Sequence, residues 1–473
     1  MNRPPHSVSD SEIADNAVFR DHVATVDEAG NRIWIYPKKP IGKFYNARTY
    51  VSWVLLAILF LGPFISINGR PLLLLNFLER KFIILGIVFW PQDLHLFGLA
   101  LITFIVFIIL FTAAFGRIFC GWACPQTIFM EMVFRKIEYL IDGDAREQRK
   151  LSKAPWTMKK IMKRVIKLSV FFTISVIISN VFLAYIIGKD ALLDIIMAPP
   201  SEHLGGFIAM LIFSLLFFGV FAWFREQACT MVCPYGRFQS VLLDQNSIVV
   251  HYDFLRGEPR GKGKRKEGSA GLGDCIDCHA CVDVCPTGID IRNGTQLECV
   301  NCTACIDACD DIMTKVNRPT GLIKYASYNG IKSGTKKIWN ARVLAYSGIL
   351  VTLIGLLIFL LSTRVPVETT ILRTPGVLYQ MVGDDVVRNL YNVKLVNKTW
   401  EPKNIELRIV DPPEARIVMI SALSIPPDHL GQSAFFIDMD RTQITRHNIP
   451  VQLDIIANST VIETITTTFI APE

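Results

Sequence analysis

The chain has 473 residues, 51% of them hydrophobic, and a mean hydropathy of +0.36. That excludes a single small soluble domain and points to a membrane. The +7 net charge does not imply nucleic acid, because the basic residues flank apolar segments and no binding motif accompanies them.

Residues 1–48 read as a polar arm with Trp34, Tyr36, Lys38 and Lys39 near its end. Five segments then approach the ~20 apolar residues a spanning helix needs: 49–67, 94–115, 168–188, 204–224 and 343–361. The first is too long and too far into the chain for a cleaved signal peptide. Residues 72–90 are also apolar, but Glu79, Arg80 and Lys81 interrupt them. An interfacial or re-entrant helix is expected there. The loop 116–167 carries twelve Lys and Arg, 189–203 only Lys189, and 225–342 is basic again. The positive-inside rule then places the N-terminus and both basic loops in the cytoplasm and the chain end outside. All twelve cysteines lie in or beside those cytoplasmic segments, where reduced thiols persist.

The membrane core, 49–255, holds four spans and an internal repeat. Phe119-Cys120-Gly-Trp-Ala-Cys124-Pro125-x3-Phe129 follows the second span, and Ala228-Cys229-Thr-Met-Val-Cys233-Pro234-x3-Phe238 the fourth. Residues four apart share a helix face, and proline tends to end the helix before it. If the two helices are neighbours, four sulfurs converge at the membrane surface. Soft thiolates suit Cu(I), zinc or a further cluster, and a reversible disulfide is another option. Small buried residues in helix packing are the bland alternative, which the duplication weighs against. His95 and His203 sit near outer span ends and none sits mid-span, so a haem held between facing histidines is not expected. Asn180 is expected to act as interhelical glue. No span carries a row of charges, which argues against a pump.

Residues 256–269 form a basic glycine-rich linker without the pattern of a phosphate loop. The insert 270–315 follows, with Cys275-x2-Cys278-x2-Cys281-x3-Cys285-Pro286 and Cys299-x2-Cys302-x2-Cys305-x3-Cys309. This spacing binds two [4Fe–4S] clusters, the last cysteine of each run ligating the other cluster. Cys275, Cys278, Cys281 and Cys309 are assigned to one cluster, and Cys299, Cys302, Cys305 and Cys285 to the other. Zinc sites need four ligands in two separated pairs, and disulfide frameworks belong to small exported domains. Asp310 stands where proline often follows the last cysteine. His279 is expected to tune the first cluster's potential.

Residues 316–342 link to the fifth span. In 366–473, seven short β-branched or alternating runs are expected as strands: Val367–Leu372, Val386–Val396, Asn404–Val410, Arg416–Ser421, Ala434–Met439, Pro450–Ile456 and Val461–Phe469. They suggest an immunoglobulin-like all-β sandwich without a core disulfide. The fold class is thus a five-helix α transmembrane core, a ferredoxin-like insert and a C-terminal sandwich.

Five spans, paired C-x3-C-P motifs, the run Tyr252-Asp-Phe-Leu-Arg256-Gly-Glu-Pro-Arg260-Gly-Lys262, a two-cluster insert and an outer sandwich closely resemble the CcoG/FixG/RdxA family. The resemblance covers nearly the whole chain. Those proteins are accessory factors of the cbb-type cytochrome c oxidase. It implies a multi-pass bacterial inner-membrane protein with two [4Fe–4S] clusters inside and the sandwich in the periplasm. It also implies reduction of Cu(II) to Cu(I) for that oxidase. Cys120, Cys124, Cys229 and Cys233 become the candidate copper or redox site. Expected partners are membrane lipid, a cytoplasmic electron donor, and oxidase assembly factors or a copper chaperone. Two other readings stand beside this one: a quinol- or ferredoxin-linked conduit to another membrane partner, and a non-enzymatic scaffold or redox sensor.

Overall fold

Long apolar runs become long helices because a helix satisfies its own backbone where no water can. The computed structural model describes residues 24–473 except 28, 68, 78–80, 85, 262–271, 335–338, 366, 377, 384, 400, 428, 445, 458, 459 and 473. The start of the polar arm, Glu79, Arg80 and most of the basic linker therefore lie outside the described residues. Five helices are long and apolar enough to cross a membrane: Lys43–Phe64, Leu94–Phe115, Met158–Ile187, Leu204–Phe224 and Ala341–Ser362. Only 11–33% of their most apolar stretches is covered by protein, which suits helices that face lipid. The third starts ten residues earlier than its apolar run suggests. Thr157 caps it by accepting the Lys160 N–H, so Lys159, Lys160, Lys163 and Arg164 form its first turns instead of a loop.

The third and fourth helices meet through Ser179 and Ser214, whose hydroxyls lie 2.6 Å apart and buried. Asn180, expected to do this, instead donates to Val176 O of its own helix at 2.8 Å. Below them Phe134 stacks on Phe221 at 4.5 Å and meets the edge of Phe171 at 4.8 Å.

Residues 72–90 correct the expected helix. They form the strands Leu73–Asn76, Lys81–Ile84 and Ile87–Phe89, the first two paired antiparallel. The β-branched Ile83, Ile84, Ile87 and Val88 favour a pleated backbone. Gly86 supplies the positive φ of 79° that turns the chain between them.

The ferredoxin-like insert is closed at its base by Val249–Tyr252, which pairs antiparallel with Ile323–Ala326. Both cysteine runs take the same bend. The residues flanking each middle cysteine are left-handed: Asp277 (53°) and His279 (58°), then Asn301 (53°) and Thr303 (66°). Such alternation curls the backbone around one centre and turns its N–H groups inward. The insert is keyed to the membrane core. Asp307, on the helix Ala304–Lys315, accepts the N–H groups of Phe44 (3.1 Å) and Tyr45 (2.8 Å). Those are orphan donors at the start of the first spanning helix. Ser247 Oγ and Ile248 N donate to Ala113 O (2.7 Å) and Ala114 O (3.0 Å) at the end of the second.

The chain divides into two compact units, and the second contains residues 356–473. Here one sheet orders Arg416–Met419, Leu430–Asp440, Val386–Asn397 and Val367–Arg373, with Gln380–Val382 on an edge. The other orders Leu423–Ile425, Lys403–Asp411, Asn448–Ala457 and Thr460–Ile470. Alternating residues of both sheets, among them Val387, Tyr391, Phe435, Val451, Leu453 and Phe469, share one core. All seven expected strands are present; Gln380–Val382 and Leu423–Ile425 are additions too short to show a period. Tyr391 stacks on Phe435 at 5.5 Å, and its hydroxyl donates to Thr468 O at 2.9 Å.

Candidate electron-transfer site

The bend of each cysteine run encloses a cavity. One is lined by Cys275, Cys278, Cys281 and Cys309, with Tyr252 and Arg292 in its wall. The other is lined by Cys285, Cys299, Cys302 and Cys305 and touched by Cys281. Two thiol-lined pockets suit a pair of [4Fe–4S] clusters. All eight cysteines are free thiols. Burial pushes Cys302 up to about 11 and Cys281, Cys299 and Cys309 up to about 12. Loading them with iron must therefore displace protons.

The cavities differ in exposure. Cys278 is exposed at the edge of the first. The second faces the membrane core. His279, expected to tune the first cluster's potential, lines the first cavity with its side chain 57% exposed. Beside it Arg292 is almost fully buried, held by Asp277 (2.5 Å) and Asp290 (2.6 Å). This guanidinium is the fixed positive charge at the first cavity, and no motif announces it.

The paired C-x3-C-P motifs converge. Cys120 lies 3.3 Å from Gln239 Oε1, on the helix Pro234–Leu242 that follows the other motif. Cys120 feels the charge of Cys124 and Cys233, and Cys229 that of Cys124, Cys120 and Cys233. Burial, and after it the neighbouring thiols, raise Cys120 to about 11 and Cys229 to about 12.

This four-thiol group abuts the second cavity. Cys120 packs with Val300, Cys302 and Cys305 in one apolar cluster. Arg117 spans the junction. Its buried guanidinium donates to Leu297 O on the insert and, at 2.6 Å, to Gly236 O after the second motif. Trp122, inside the first motif, donates to the Tyr325 hydroxyl at 3.1 Å, which donates to Asn301 O at 3.3 Å. Gly121 makes the contact close: a Cβ there would sit 2.5 Å from Val300 O and 2.7 Å from Asn301 O. Gly121→Ala is expected to cost roughly 1–3 kcal/mol through this overlap. The check is its thermal midpoint against Gly205→Ala, where nothing lies within 4 Å; equal midpoints would refute the close fit.

A buried ionic network joins the two motif halves. Arg225, just before the second motif, forms a two-pronged pair with Glu138 (3.0 and 2.6 Å), after the first. Lys167 of the third helix bridges Asp142 (2.6 Å) and Glu138 (3.5 Å). Glu226 takes Arg32 at 2.9 Å and Arg135 at 3.6 Å. Burial alone would raise the Glu138 carboxyl, but Arg225, Lys167 and Arg135 hold it below the usual carboxylate range. The sequence reading missed this network; its only local hint is the spacing of Glu131, Arg135 and Glu138 along one helix face.

Thiol-lined cavities seated on a helical membrane core define a membrane-bound iron–sulfur electron-transfer protein. Family models agree with each part. A 4Fe-4S dicluster domain matches residues 224–328, a 4Fe-4S binding domain 97–142, and the IG-like fold at the C-terminal of FixG 357–472. The chain is 35% identical to protein RdxA of Cereibacter sphaeroides, over 79% of this chain and 82% of that one. It is 35% identical to the nitrogen fixation protein FixG of Rhizobium meliloti, over 80% of both chains. Protein RdxB of Cereibacter sphaeroides is 33% identical, over 79% and 81%. The chain belongs to the FixG/RdxA family. The crystal structure of a FixG-related protein from Vibrio parahaemolyticus aligns with 22% of this chain and 95% of its own at 19% identity and a TM-score of 0.20.

Proposed function

We propose that this protein is a cupric reductase of the bacterial inner membrane, delivering Cu(I) for maturation of the cbb-type cytochrome c oxidase. The observation that carries this reading is the seam between the second cavity and the four-thiol group, where Cys120 packs against the apolar cluster that contains Val300 and Cys302.

Cys275, Cys278, Cys281 and Cys309 would hold one cluster, and Cys285, Cys299, Cys302 and Cys305 the other. When bound, the clusters supply one-electron transfer. The exposed edge at Cys278 offers a soluble cytoplasmic donor its approach. Arg117 and Gly121 fix the spacing across the seam. Cu(II) takes one electron from the group of Cys120, Cys124, Cys229 and Cys233 and leaves as Cu(I). The C-terminal sandwich, outside the cell membrane in this orientation, would dock an assembly factor or a copper chaperone.

Purified protein, reduced and given Cu(II) with a Cu(I)-specific chelator, is expected to accumulate the chelated Cu(I). A Cys120→Ala, Cys124→Ala protein whose eight ferredoxin cysteines still hold iron is expected to lose most of that rate. Wild-type rates in that variant would reject the placement. Quinol oxidation independent of copper would favour a conduit, and no redox activity a scaffold.

A further inference from the structure

The two C-x3-C-P motifs repeat in backbone as well as in letters. Four residues before each first cysteine the chain makes the same sharp turn, Gly116 at φ 58°, ψ −133° and Arg225 at φ 54°, ψ −123°. In each motif the second cysteine donates its N–H back five residues at 2.8 Å, Cys124 to Phe119 O and Cys233 to Ala228 O. Cys124 (−62°, 124°) and Cys233 (−68°, 113°) then leave in the same extended conformation, and a proline opens the next helix. The halves also interlock. Cys120 reaches Gln239 after the second motif, and Arg117, before the first, donates to Gly236 O at 2.6 Å. Each half thus supplies two sulfurs of like geometry to one centre.

The ligand chemistry of that centre decides what it takes. The centre is all thiol, as cubane ligation demands. The 4Fe-4S binding model over 97–142 contains only Cys120 and Cys124, half of one cubane's ligands; the second motif supplies the rest.

We infer that Cys120, Cys124, Cys229 and Cys233 together hold a third polynuclear iron–sulfur cluster, bridging the two halves of the membrane core. This rests on the reading of the site as the point where electrons leave. Cu(II) is then the acceptor of an electron from this centre, and is not itself lodged among the four sulfurs.

Protein isolated without oxygen and reconstituted with ferrous iron and sulfide is expected to carry about twelve irons per chain, not about eight. Its four motif cysteines should resist alkylation, scored by mass spectrometry. A Cys124→Ser, Cys233→Ser protein should lose about four irons while the eight ferredoxin cysteines stay protected. About eight irons in the fully loaded wild type, or free alkylation of the four motif thiols, overturns the inference; so does one copper or zinc bound there. The wild-type count decides even where the variant does not fold. Cupric reduction with about eight irons rejects the third cluster and keeps the proposed function; about twelve irons without it does the reverse.

Discussion

Cys309→Ala is expected to empty the first ferredoxin cavity and spare the second, although Cys309 lies in the second cysteine run. Its sulfur lines the cavity of Cys275, Cys278 and Cys281. Cys285→Ala should do the reverse, because Cys285 lines the cavity of Cys299, Cys302 and Cys305. Each variant is expected to lose about four irons. Loss of a direct ligand should exceed the 10–100-fold cost of losing an outer partner, so the proposed Cu(II) reduction should fall by roughly 100-fold or more. Alkylation mapping reads the assignment directly. In Cys309→Ala the thiols of Cys275, Cys278 and Cys281 should become reactive, and those of Cys299, Cys302 and Cys305 should not. Labelling confined to the second run would show that each run ligates its own cluster.

Glu138→Ala is the second large effect. It removes the two-pronged partner of Arg225 and the longer of the two carboxylate contacts of Lys167, side chains that are 5% and 8% exposed. Removing one partner of a buried pair leaves an uncompensated charge and costs about 3–5 kcal/mol. Denaturation in detergent should show this loss. The exposed pair Lys189–Asp190 is the control, and Asp190→Asn should change stability by no more than about 1 kcal/mol. A double change, Glu138→Leu with Arg225→Met, should recover part of the loss, since no lone charge remains there. An equal, small effect at both sites would mean that water reaches the network.

What the sequence discloses follows from how local its causes are. The spans are legible because hydropathy over some 20 residues is a local quantity, and the alternation of Val451, Leu453 and Ile455 marks a strand for the same reason. The start of the third helix is not, because five basic residues look like a loop until Thr157 is seen capping them. Residues 72–90 mislead because apolar content does not separate helix from strand, and the β-branched pairs outweigh the run's length. Cysteine spacing gives the clusters because ligand geometry is written within a dozen residues. The four-thiol group was legible only on the condition that the second and fourth helices be neighbours. The network of Glu138, Lys167 and Arg225 joins two helices and the turn that ends a third, so no window along the chain contains it.

Asp307 stands between Cys305 and Cys309 while its carboxylate finishes the start of the first membrane helix. Translation delivers that helix to the bilayer long before residue 307 exists. The opening amides of Phe44 and Tyr45 must wait, solvated, until the downstream insert has folded. Folding of the insert and completion of the earliest-made span are thereby one event.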